Sequence, residues 1–336
     1  MSTVFLQTPI KILSKSFNCH KNGVGKSVLK ELDVNKIEIE NLAALQIEKF
    51  PNSGLVKTNL GPREVGLLRL DTLHPVISGN KWFKLKYNLE AARKQGFDEV
   101  LSCGGIHSNH LHALASAGQY FGIKVRALVR GYSTLALTPT LLDCQRMGMV
   151  IEFVDKKTYQ RRYDPIWCQQ QADRNGSYWI PEGGNNALGQ KGCEEIALKC
   201  EGFDEVWLSI GSGCTFSGIE NALDDKVAIT GVMAIKGGQA LADTLLSEAR
   251  IKARCKINTE SHMGGFGHCP AELIQLIQRY DGLGLPLDPV YTGKLIMAFE
   301  HAWRTQALAE NKRYLIIHSG GLQGRRGVKA LSASLP

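Results

Sequence analysis

The segment Ser78-Gly79-Asn80-Lys81 sets a lysine behind a tight polar turn, at the start of an apparent helix continuing through Lys84 and Lys86. A lysine so placed can act as a covalent catalyst if its amine is partly desolvated and kept neutral. A neutral amine adds to a carbonyl and forms a Schiff base. The same residues also describe a cationic helix lying in solvent, so this stretch alone leaves both readings open. Two further segments carry chemistry. One runs from Val100 through Ser102, Cys103, Gly104, Gly105, Ile106, His107 and Ser108 to Asn109, and the other spans Ser209, Ile210, Gly211, Ser212, Gly213, Cys214 and Thr215. Main-chain N–H groups of such a glycine turn, aided by the dipole of a following helix, form a ready anion site. Three glycines in the second segment and its continuation to Gly218 (Gly211, Gly213 and Gly218) let the backbone close around a phosphate. A lone glycine-rich turn is also an ordinary strand–helix connection.

The elements that position these residues repeat. Gly96-Phe97-Asp98-Glu99-Val100 is echoed letter for letter by Gly202-Phe203-Asp204-Glu205-Val206, and each copy runs into one of the two turns. Apolar runs predict strands at 100–102, 125–129, 150–154, 177–180, 206–210, 228–235 and 314–318. Helical patterns at 84–95, 109–121, 137–147, 187–200, 238–250 and 293–308 separate them. This alternation predicts an α/β fold with parallel sheets, whose ligands bind at the carboxyl ends of the strands. At 336 residues the chain can hold two domains.

Composition excludes several classes. The net charge of +8 is spread along the chain and forms no basic stripe interleaved with aromatics, which argues against nucleic-acid binding. No apolar run reaches membrane-spanning length. The nine cysteines form no CxxC pair and lie in strand and helix patterns, as expected of a reducing, cytoplasmic compartment. Residues 1–42 differ from the rest: Met1 to Lys30 hold five lysines and no acidic residue, which predicts a flexible extension. Within it Gly23 to Ser27 imitates the end of a phosphate-binding loop, but His20 stands where the first glycine belongs. His107, His110 and His112 suggest a metal site, yet on a helix only the first two share a face and no second ligand cluster accompanies them. Gly211-Ser212-Gly213 only imitates the nucleophile elbow of a hydrolase.

Near the carboxyl end, Asp288-Pro289-Val290-Tyr291-Thr292 begins a helix and His318-Ser319-Gly320-Gly321 opens a strand end into glycines. With these in place, the chain over about residues 43–330 resembles the pyridoxal-phosphate enzymes of the 1-aminocyclopropane-1-carboxylate (ACC) deaminase and D-cysteine desulfhydrase family. Five motifs fall in family order, including the connecting segment Pro181 to Gly189. The resemblance implies a fold like that of the tryptophan synthase β subunit (fold type II), with the cofactor between two parallel-sheet domains. The large domain would comprise 43–83 and 186–336, and the small one 84–185. It implies pyridoxal 5'-phosphate as cofactor, bound covalently by Lys81. Asn109 would bond its phenolic oxygen, and Gly211, Ser212, Gly213, Cys214 and Thr215 would hold its phosphate. Ser108 and Tyr291 are the further catalytic candidates. A homodimer acting on a small amino acid is implied as well.

Departures from the family pattern bear on the substrate. ACC deaminases carry a glutamate where this chain has Thr292 and a leucine where it has Ser319, and hydroxyl residues there resemble the desulfhydrase branch. A hydroxyl beside the pyridine nitrogen supports its protonation less than a carboxylate does. It suffices when a good leaving group departs from the β carbon. The expectation is therefore β-elimination to a keto acid and ammonia, with ACC deamination as the alternative. A non-catalytic cofactor-binding protein and a nucleotide-binding α/β protein are the competing classes. Ser108 and Tyr291 speak against the first, and a lysine-linked visible chromophore would exclude the second.

Overall fold

A computed structural model describes residues 45–51, 64–74, 76–77, 79–134 and 136–332. The expected flexible extension over residues 1–42 lies outside them. The described residues form two sheets. The larger has the order β1 (Ile47–Lys49), β2 (Glu64–Arg69), β10 (Arg313–His318), β7 (Glu205–Ile210), β8 (Ala228–Met233), β9 (Cys255–Asn258). Only β1 runs antiparallel to its neighbour; the remaining pairings are parallel. The smaller is wholly parallel: β5 (Val150–Val154), β4 (Lys124–Arg130), β3 (Glu99–Gly105), β6 (Tyr178–Trp179).

The larger sheet is buried on both faces, which is why its strands read as continuous apolar runs. Leu68, Leu208, Ile210, Leu315 and Ile317 pack with Phe83, Ile196, Phe216 and Ile219 on one side. Leu67, Trp207, Tyr314 and Ile316 pack with Leu273, Ile277, Ile296 and Phe299 on the other. The alternation along β10, from Tyr314 to Ile317, follows the two-residue period of a strand. Each fully buried Leu, Ile or Phe side chain contributes roughly 1.5–3 kcal/mol, so a sheet covered on both faces is a firm base for a site.

All seven strands expected from the sequence are present. Glu99 and Glu205 of the repeated phrase each open a strand, and these strands, β3 and β7, each feed a helix through a glycine turn. The lysine helix starts at Asn80 rather than at 84, so Lys81 lies in its first turn (Asn80–Lys94). Strands β1, β2 and β9 and the helices Lys156–Gln160, Pro165–Asn175 and Ala271–Asp281 were not expected. No described helix is long and apolar enough to cross a membrane.

Candidate active site

The carboxyl ends of β3, β7 and β10 deliver the polar turns where parallel sheets bind ligands. The turn before Lys81 is fixed by its backbone. Gly79 has φ of +73°, and a Cβ there would stand 2.1 Å from the carbonyl oxygen of Ser319, so only glycine fits. The Asn80 N–H donates to that same oxygen at 3.1 Å. Lys81 Nζ donates to Asn80 Oδ1 at 3.0 Å and lies 5.7 Å from the centroid of the Tyr291 ring. Burial lowers the Lys81 amine to about 7, and the charge of nearby Lys84 works in the same direction. The reading of this helix as a cationic face in solvent fails: Lys81 is half-buried, and Lys84 and Lys86 are buried.

The second glycine turn leads into the helix Cys214–Ala222. Its N-cap is Gly213, in the left-handed region at φ of +86°, and no side chain caps the first amides. Those N–H groups are therefore available to an anion. Thr215 Oγ1 accepts from Asn80 Nδ2 at 2.8 Å, which ties this turn to the lysine helix. Ser212 Oγ lies 3.5 Å from Lys84 Nζ. Cys214 Sγ donates to Gly184 O at 3.4 Å, so what Cys214 offers the turn is its main-chain N–H. Gly211 faces Tyr291: a Cβ on it would stand 3.0 Å from the Tyr291 ring. The connecting segment packs here too, with Asn186 and Asn88 of the lysine helix exchanging amide hydrogen bonds at 2.7 and 3.2 Å.

In the first glycine turn, Ser108 is the N-cap of the helix Asn109–Phe121, its Oγ accepting from the Leu111 N–H at 3.2 Å. The hydroxyl proton remains free to donate. Because the helix starts at Asn109, His107 and His110 do not share a helical face. His107 is exposed, His110 Nε2 bonds Ser102 Oγ at 2.8 Å, and His112 faces Asp143 at 3.4 Å. Burial, reinforced by Lys81 and Lys84, pushes His110 down to about 3 and keeps it neutral.

Tyr291 and Thr292 are set by Asp288, a buried carboxylate that accepts from the N–H groups of Val290, Tyr291 and Thr292 at 2.9, 2.8 and 2.7 Å. Burial, with Asp288 and Glu182 adding, raises the Tyr291 phenol well above its ordinary value. Tyr291 is thus a proton donor at neutral pH. Thr292 is fully buried, and its Oγ1 has no hydrogen-bond partner among the described residues. Such an orphan hydroxyl costs about 1–3 kcal/mol unless a bound molecule satisfies it. Ser319 Oγ reaches Ser209 Oγ at 3.4 Å.

The structure thus places Ser108 and Asn109 after β3, Gly211 to Thr215 after β7 and Ser319 after β10, with Lys81, Tyr291 and Thr292 at the amino ends of two further helices. Two contributors lacked an assigned role in the sequence reading. Asn80 sits inside the lysine motif, and Asp288 precedes a proline at a helix start, a local capping signal. The set fits pyridoxal phosphate: a lysine held near neutrality, an uncapped helix start for a phosphate, and a buried hydroxyl without a partner.

Comparison with known proteins agrees. Residues 52–320 match the pyridoxal-phosphate dependent enzyme family, and the chain belongs to it. A protein of Pyrococcus horikoshii named putative 1-aminocyclopropane-1-carboxylate deaminase is 29% identical over 286 residues, covering 78% of this chain and 87% of its own. The mitochondrial bifunctional D-cysteine desulfhydrase/1-aminocyclopropane-1-carboxylate deaminase of Arabidopsis thaliana is 29% identical over 294 residues, covering 78% and 73%. A crystal structure described as an ACC deaminase homologue superposes with a TM-score of 0.72 at 25% identity, spanning 89% of this chain and 99% of its own. The chain is a pyridoxal-phosphate-dependent enzyme with the α/β fold of type II.

Proposed function

We propose that this enzyme is a lyase of the D-cysteine desulfhydrase kind, cleaving a small amino acid to a keto acid and ammonia by β-elimination. Lys81 would hold the cofactor, the amides at Gly211 to Thr215 its phosphate, Asn109 its phenolic oxygen, and Thr292 with Ser319 its ring nitrogen. Pyridoxal phosphate, when bound, accepts the electron pair left on the α carbon of an amino acid. The protein supplies positioning and protons. Lys81, neutral above about 7, takes the α proton. Tyr291, held protonated, gives a proton to the sulfur as the carbon–sulfur bond breaks and its electron pair leaves with sulfur. Ser108 holds the substrate carboxylate with its free hydroxyl proton. The released enamine then hydrolyses to keto acid and ammonia.

The observation that carries the substrate reading is Thr292. Its neutral hydroxyl is buried and without a partner among the described residues, and ring opening of ACC would call for a carboxylate at the ring nitrogen that Thr292 would face. The names of the relatives favour ACC deamination as the second reading, and one of them combines both activities. The two-domain division at residues 83 and 185, with the cofactor between the domains, belongs to this reading, as does a homodimer, which rests on the family resemblance. A reducing cytoplasmic setting is supported by the eight described cysteines, all of them free thiols. The deciding experiment supplies D-cysteine, β-chloro-D-alanine and ACC in parallel and measures keto acid and ammonia. Faster turnover of the first two is expected, and ACC turnover at or above the D-cysteine rate would overturn the assignment.

A further inference from the structure

Asn109 has a partner that no sequence pattern announces. The turn Leu322–Gly327, which follows β10, crosses to the helix carrying Asn109, and Gln323 Nε2 donates to Asn109 Oδ1 at 2.8 Å. The turn is anchored on both sides of that contact. Arg325 is buried and reaches Asp281 at 2.9 and 2.5 Å and Leu287 O at 2.9 Å. Arg326 binds Asp143 at 2.5 Å and donates to Gln323 O at 3.3 Å. Gly321 closes the other side of the amide: a Cβ there would stand 2.5 Å from Asn109 Nδ2. Gln323 is thus held by its neighbours and meets one end of a side-chain amide whose two ends differ in hydrogen-bond sense.

We infer that Gln323 is a positioning residue: by occupying Asn109 Oδ1 it commits Nδ2, the donor end, to the cofactor's phenolic oxygen. The inference rests on the proposal that Asn109 faces that oxygen. A donor there favours the ionised oxygen, whereas an acceptor favours the protonated form, so the orientation of one amide sets the protonation of the bound cofactor. A glutamine 214 residues away in sequence from Asn109 thereby acts on the reaction without touching the reacting atoms.

The test uses Gln323→Glu, which keeps the shape but offers only acceptors, so Asn109 must turn Nδ2 toward it and present Oδ1 to the cofactor. The readout is the pH titration of the visible band of the holoenzyme. Gln323→Glu should raise the apparent pKa of that band by about one unit or more. The same substitution in an Asn109→Ala background should leave the band where Asn109→Ala alone puts it, as a double-mutant cycle requires of a residue acting through another. Gln323→Leu, which only releases the amide, should shift the band less than Gln323→Glu. An equal shift in both backgrounds would mean that the introduced charge acts directly and would overturn the inference. An unmoved band in Gln323→Glu, with Asn109→Ala still shifting it, would overturn the inference and leave the assignment of Asn109 intact. An unmoved band in Asn109→Ala itself would overturn that assignment and the inference with it.

Discussion

Two turns in this molecule grow from the same five-residue phrase and end as opposite kinds of binding surface. After β3, the turn is closed by side chains: Ser108 caps its own helix and Asn109 is engaged by Gln323. After β7, Gly213 takes the cap position in a left-handed conformation, and no side chain covers the first amides of the helix. The first turn presents directed side-chain groups, suited to a substrate and to one atom of a cofactor. The second presents main-chain N–H groups and a helix dipole, suited to a multiply charged anion. The shared strand–turn–helix frame thus offers different groups to a ligand, according to the residues at the cap and the first helical position.

Exchanging what the caps can do gives the sharpest contrasts. Gly213→Ala forces a side chain into a left-handed conformation with Leu245 Cδ2 2.7 Å from the new Cβ. It should cost about 1–3 kcal/mol of stability and abolish cofactor retention, as read by thermal unfolding and the visible band. In the other turn, Gly105 has no positive φ and open space around its Cβ position, and Gly105→Ala should stay within about 0.5 kcal/mol. Equal effects of the two changes would erase the distinction. Ser108→Ala comes next, with an expected loss of roughly a hundredfold in kcat and about 1 kcal/mol in stability. Ser108→Gly should lose as much kcat but only a few tenths of a kcal/mol in stability, because glycine is a tolerated cap. A Ser108→Gly variant with full activity would leave Ser108 only its cap.

The smallest effect concerns pH. The Lys81 amine of the cofactor-free protein sits at about 7 rather than 10.5, so its reactive neutral form grows as pH rises through 7 and is complete well below the ordinary lysine range. Cofactor uptake, followed by the appearance of the visible band, should be about tenfold slower at pH 6 than at pH 8 and flat above that. A rate still rising steeply toward pH 10 would place Lys81 in an ordinary solvated environment.

Much of this was legible in the chain itself. The buried parallel strands β3, β4, β7, β8 and β10 are apolar runs whose length and bounding turns announce them. The candidate site residues cluster at glycine turns for the same reason. What escaped reading is what tertiary context decides. Strand β2 contains Gly66 and is exposed at Glu64, and β9 is four residues long, so neither carries a strong periodic signal. The helix Pro165–Asn175 was hidden by a glutamine-rich polar face, though its Asp164 cap and Pro165 start are local signals. Asn80 reaches Thr215 across 135 positions and Gln323 reaches Asn109 across 214, distances over which no local pattern speaks. The solvent-exposed alternative for the Lys81 helix could be settled only by seeing which of its faces is covered.

The central claim is that Lys81, and no neighbouring lysine, carries the cofactor. Lys84 and Lys86 share its helix and are buried, whereas Lys81 is half-buried, so the assignment must be read chemically. Borohydride reduction of the holoenzyme followed by peptide mapping should place the reduced cofactor on Lys81 alone, and Lys81→Ala should remove the lysine-linked band while leaving the fold intact. Label on Lys84 or Lys86, or a lysine-linked band that survives Lys81→Ala, would contradict the account.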